Sequence, residues 1–271
     1  MEIIDAQIHE PTAPQVLPPE SATLVKVEMA REALDSVGVD AALLVTDRAY
    51  IDACRARYPE RFAGVITFDP ASTTLEQDVR TVSDTPGLVA GRALVGDFRD
   101  GTLRPAFSSG GFERLFALAQ EHRVPLFAST HGWSAVLDDV ATRYPDLVLI
   151  VDHLGVSQSP YSPPRQDPWD KLPDLLKLAR HRNVHVKVCG VPVLSRKAYP
   201  YEDAWPYLHS VIDAFGAERL MWASDYTRMR HAGRTYSECR DHLLRSNEIS
   251  EEQKEQIFGG TVRRVLRWSR G

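Results

Sequence analysis

The sequence predicts an α/β fold, a single (β/α)8 TIM-type barrel, distorted or regular, spanning residues 1–271. Short apolar runs rich in β-branched residues occur eight times, and a helical stretch follows each one. Residues of unusual chemistry fall at the ends of those runs, where a barrel gathers its reactive groups. The length is also that of one such barrel.

The eight strands are expected at Ile3–His9, Asp40–Thr46, Phe62–Phe68, Leu88–Val95, Val124–Thr130, Leu147–Asp152, Val184–Cys189 and Leu220–Ser224. Several are almost continuously apolar, as in Leu147-Val148-Leu149-Ile150-Val151, which suits parallel strands covered on both faces. Between them, Ala22–Val37 carries apolar residues at three- and four-residue spacing and ends at Gly38, a natural C-cap. Phe112–His122, Asp170–Arg182 and Asp203–Phe215 repeat the pattern, and Glu251–Trp268 reads as two short helices split at Gly259-Gly260. An open doubly wound sheet is the competing fold, but no GxGxxG follows the first strand and no Walker A motif occurs. Two stretches break the rhythm, the four-proline segment Glu10–Glu20 and the Ser/Pro/Gln-rich segment Gly155–Pro168. Both follow strands and are expected to wall a pocket.

Hydrophobic residues make up 43% and charged residues 25% of the chain, an ordinary globular balance. A net charge of −5 carries no footprint of a nucleic-acid partner. No apolar run reaches the roughly 18 residues of a membrane span, and Glu2-Ile3-Ile4-Asp5 has neither the basic nor the long apolar region of a signal peptide, so none is expected. Cys54, Cys189 and Cys239 are an odd set without CxxC spacing, as in reduced thiols. A cytoplasmic protein is expected, with no nucleic-acid or membrane partner; a homo-oligomer is left open.

Asp5, Gln7 and His9 alternate along the first strand, so a period of two places them on one face. His131 ends the fifth strand, Asp152-His153 the sixth and Asp225 the eighth. Three imidazoles and a carboxylate would thus converge at one mouth. Each has a structural alternative: Asp225 could cap the segment after it, and Asp152 could simply accept a hydrogen bond. His122, His181, His185, His209, His231 and His242 fall on helices, loops or strand starts and are read as structural. Arg92 lies in the fourth strand, and Arg48, Arg228 and Arg230 follow strand ends. Arginine suits carboxylate recognition, which points to an anionic small-molecule substrate. Trp133, Tyr226 and Tyr161 are candidates for an aromatic wall.

In this order and spacing, Ile4-Asp5-Ala6-Gln7-Ile8-His9, Gly91-Arg92, Val151-Asp152-His153-Leu154-Gly155, Asn183–Gly190 and Trp222-Ala223-Ser224-Asp225-Tyr226 resemble the amidohydrolase-related group of the amidohydrolase superfamily. That group includes pyrone-dicarboxylate and sugar lactonases and several decarboxylases. The resemblance implies His9, His131 and Asp225 as ligands of one divalent metal, zinc by preference, with Gln7 where the usual His-x-His motif has its first histidine. An amide offers only a neutral oxygen, a poorer zinc ligand than imidazole. It also implies His153 as a catalytic acid or electrophile. No lysine lies between Gly91 and His131 to bridge a second metal. Metal-free catalysis, with Asp225 as general base, is the other mechanism the resemblance carries. The expected function is hydrolysis of a lactone or related cyclic ester or amide of a small carboxylated metabolite, with Arg92, Trp133 and Tyr226 binding substrate. A metal-dependent decarboxylase and a non-catalytic binding barrel are the alternatives.

Overall fold

Each apolar run becomes a strand because its side chains are buried on both sides, against the barrel interior and against the helices. In the computed structural model, which describes residues 1–13, 16–158 and 165–269, the strands are β1 (Ile4–Ile8), β2 (Ala41–Val45), β3 (Phe62–Thr67), β4 (Leu88–Leu94), β5 (Leu126–Ser129), β6 (Leu149–Val151), β7 (Val184–Val188) and β8 (Leu220–Trp222). They pair in parallel in sequence order from β1 to β8. Helices alternate with them, so the predicted barrel is the observed one.

The helix Pro19–Val37 ends at Gly38, whose left-handed φ of 67° makes the expected C-cap. The split at Gly259-Gly260 is a π-helical turn, Gln256–Gly260, between Glu251–Glu255 and Thr261–Val265. At Gly91 a Cβ would lie 2.0 Å from the Phe68 ring, so only glycine lets β4 sit this close to that side chain. Among the described residues, no helix is long and apolar enough to cross a membrane.

The seam between β8 and β1 closes the sheet. Asp225 N–H donates to the Gln7 carbonyl at 3.0 Å. The Asp5 carboxylate accepts from the Ser224 N–H (2.9 Å), the Ser224 hydroxyl, the Gln7 N–H (3.0 Å) and the Tyr236 hydroxyl (2.8 Å). Asp5 therefore turns outward to the helical layer, while Gln7 turns inward to His153 and Lys187. Strict alternation is broken by a register shift between Asp5 and Ile8. The extra residue of a bulge puts Asp5 and Gln7 on different faces, contrary to the period-two expectation.

The interior is layered. Apolar side chains such as Ile4, Leu43, Val65, Phe127, Ile150 and Met221 fill the lower barrel. Above them lie Gln7, Lys187, Asp152 and Arg92, and the mouth carries His9, His131, His153 and Asp225.

Burial pushes the Asp5 carboxyl up to about 6, against the four donors that favour its charged form. Between pH 4 and 6 the native protein then binds more protons at this site than the unfolded chain, so its contribution to stability falls as pH rises. Asp5→Ala should lower unfolding stability by about 3 kcal/mol, because several buried donors lose their acceptor. It should also remove that part of the pH dependence. Urea unfolding of both proteins at pH 4 and pH 6.5 measures each effect.

Candidate active site

Three residues of the mouth sit in the left-handed region although none is glycine: His131 (φ 47°), His153 (φ 54°) and Asp225 (φ 49°). Each follows the end of a strand, and such backbone strain is typical of functional positions. The turn stops each side chain from continuing the strand's alternation and presents it to the barrel mouth. There, His9, Arg92, His131, His153, Asp225 and Arg228 help to line a cavity of about 410 Å³.

Hydrogen bonding fixes the protonation pattern of this cavity. The His9 Nδ1 lies 2.6 Å from the Val45 carbonyl, an obligate acceptor, so Nδ1 carries a proton. His9 Nε2 lies 3.2 Å from Asp225 Oδ1. Asp225 is 2% exposed, yet His9, and after it His153 and Arg228, hold its carboxyl below the usual range despite the opposing effect of burial. It makes no capping bond to the helix Tyr226–Met229 that it precedes. Burial pushes His153 down to about 3, against the pull of Asp225 and Asp152, and pushes His131 down to about 4. Both imidazoles are neutral at pH 7.

Beneath the mouth, Lys187 enters from β7 with no exposed surface. Its ammonium pairs with Asp152 Oδ1 at 2.7 Å, donates to the Gln7 Oε1 and lies 4.0 Å from the centre of the Phe127 ring. Arg92 holds the other Asp152 oxygen at 2.9 Å. These two cations keep Asp152 ionised despite its burial. Asp152 is thus the anionic centre of a charge cluster and accepts no bond from the imidazoles of the mouth among the contacts described. Lys187 carried no role in the sequence reading. The signal was a lysine on the inward side of an apolar strand, between His185 and Cys189.

Since an ammonium can only donate, the Gln7 oxygen must face Lys187, and the amide N–H groups face the mouth. They lie 3.3 Å from His9 Nε2 and 3.4 Å from His153 Nε2. His153 Nδ1 lies 3.1 Å from the Cys189 sulfur. Burial keeps that thiol protonated.

A metal held by Gln7, His9, His131 and Asp225 needs four donor atoms turned to one point. His9 and Asp225 are adjacent, but the Gln7 oxygen is committed to Lys187 and His131 Nε2 to the Ser129 hydroxyl at 2.9 Å. Among the described residues, the three whose donor atoms lie within 4.8 Å of one another are His153, Cys189 and Asp225. The residues present do not fit the ligand set that the resemblance implies.

Two expected substrate contacts are corrected. Tyr226 is buried and stacked on Tyr236, with ring centres 4.2 Å apart, and does not line the cavity. The left-handed turn at Asp225 sends it into the helical layer. Trp133 is 40% exposed and donates to the Gly101 carbonyl at 2.8 Å, also outside the lining. Tyr161 lies outside the described residues. Arg48 pairs with Asp52 on the surface. In place of the two aromatic side chains, Phe98 and Arg104 join the wall, as do Glu10 and Gln158 from the two irregular segments.

A family model described as amidohydrolase matches residues 4–268. The chain belongs to the amidohydrolase family. It is 32% identical over 134 residues to an L-fucono-1,5-lactonase of Burkholderia ambifaria, covering 45% of this chain and 42% of that protein. It is 29% identical over 116 residues to a 4-sulfomuconolactone hydrolase of Rhizobium radiobacter, covering 37% of each. These matches span about two fifths of the relatives' own length. A solved amidohydrolase from Burkholderia multivorans with bound zinc shares the fold at a TM-score of 0.76 and 18% identity, covering 98% of this chain and 99% of that one.

Proposed function

We propose that this amidohydrolase hydrolyses a lactone of a small anionic metabolite, with Asp225 as the general base. The observation that carries the proposal is the Asp225 carboxylate, buried, held ionised beside His9 and lining the mouth of a cavity. A carboxylate held ionised at neutral pH and lining the cavity is free to take a proton from water. Both curated relatives are named for lactone hydrolysis, which supports a cyclic ester.

In this reading, Arg104 and Arg228 at the cavity wall hold the anionic group of the substrate. Water attacks the lactone carbonyl carbon and gives its proton to Asp225. The negative charge that develops on the carbonyl oxygen faces the cationic wall, where Arg92 is held by Asp152. The ring C–O bond then breaks, and the proton passes to the departing alkoxide. His153 Nε2, 4.0 Å from Asp225 Oδ2, is placed to relay it. The resting imidazole is neutral, so His153 acts as an acid only after accepting that proton.

Asp225→Asn removes the basic oxygen and keeps a residue that tolerates the left-handed backbone. Turnover of a lactone substrate should fall by about 10²-fold or more, with KM and unfolding midpoint little changed. Wild-type turnover in the folded variant would remove the assignment. Arg104→Met should weaken KM for a carboxylated lactone by about 10-fold, the loss of one charged hydrogen bond, and leave a neutral lactone unaffected. Steady-state kinetics on the paired substrates checks this.

A further inference from the structure

We propose that Lys187 is a positioning residue that keeps the barrel mouth free of a divalent metal, by turning the amide of Gln7 so that its N–H groups, not its oxygen, face His9 and His153. The inference rests on the same mouth as the proposed hydrolase. Its readout is zinc binding without substrate, which stands whether or not lactones are hydrolysed.

The argument runs outward from the buried charge. Lys187 has its three directions taken by Asp152, Gln7 and the Phe127 ring, so the ammonium has no freedom to release the amide oxygen. The amide nitrogen then donates toward two ring nitrogens, at 3.3 and 3.4 Å. His153 Nε2 offers its lone pair to this N–H, since an amide nitrogen only donates, while His9 Nε2 also faces Asp225 Oδ1 at 3.2 Å. The His153 lone pair that would coordinate a cation is thus occupied by an N–H group, and the His9 ring nitrogen is shared between the amide and Asp225. Any ion entering between the two rings would meet the positive end of the amide dipole, with an ammonium directly behind it. Asp152 gives this ammonium one negative partner and shares it with Arg92, so no surplus negative charge remains below the mouth to attract a cation. Lys187 and Gln7 are 180 positions apart in sequence, and only barrel closure brings them together.

The test compares the full-length wild type with Lys187→Met, each stripped with chelator, dialysed and titrated calorimetrically with zinc chloride. Without the ammonium the amide is free to turn its oxygen to the mouth, and Asp152 retains Arg92 as its partner. Zinc should bind Lys187→Met at least about 10-fold more tightly than wild type, the lower end for changing the group behind a metal site. Nitrogen-15 NMR of the wild-type histidines supplies a second readout that needs no variant. His153 should carry its proton on Nδ1. Wild type that retains one equivalent of zinc through dialysis, or a Lys187→Met protein that binds zinc no better, overturns the proposal. Should the variant fail to fold, a wild-type spectrum with the His153 proton on Nε2 overturns it, and the Nδ1 pattern sustains it.

Discussion

The ion pair between Lys187 and Asp152 sets the chemistry of the barrel mouth. Both groups have essentially no exposed surface, so each loses its hydration and must find compensation inside the protein. Arg92 supplies a second cation to the carboxylate, and Gln7 supplies a neutral oxygen to the ammonium. From that oxygen the orientation of the amide follows, and with it the N–H groups that face His9 and His153. A sequence of contacts thus runs from a buried charge to the reactive surface. Because its members come from β1, β4, β7 and the turn that follows β6, this arrangement depends on the barrel being closed.

Closure and chemistry are linked at β1. The bulge between Asp5 and Ile8 lets one short strand do two things that strict alternation forbids. Asp5 faces outward and ties β1 to Ser224 and Tyr236, while Gln7 faces inward to Lys187. Two residues beyond, His9 meets Asp225, whose own backbone N–H is bonded to Gln7. The carboxylate proposed as base is therefore positioned by the same seam that completes the sheet. Strained backbone at His131, His153 and Asp225 is sustained by this rigid support.

The strands were legible in the sequence because burial on both faces demands unbroken apolar runs, and all eight lie where those runs do. The convergence of His9, His131, His153 and Asp225 on one mouth was legible for a related reason, since each directly follows a run. What was not legible depended on single-residue geometry. A bulge leaves no mark in the alternation of Asp5, Gln7 and His9, so their division between two faces could not be read. Tyr226 follows Asp225 directly, yet one left-handed residue decides that its ring stacks on Tyr236 instead of facing substrate. Lys187 was visible as a charge in an apolar strand, but its meaning lies in partners on β1 and in the turn that follows β6, which no local pattern specifies.

The central claim is that Asp225 directs water onto a lactone carbonyl. The most direct measurement is mass analysis of the product after turnover of a carboxylated lactone in oxygen-18 water, with carbon dioxide release followed in parallel. The account predicts a ring-opened hydroxy acid carrying one oxygen-18 in its new carboxylate, and no carbon dioxide. Release of carbon dioxide with an unlabelled product would contradict it.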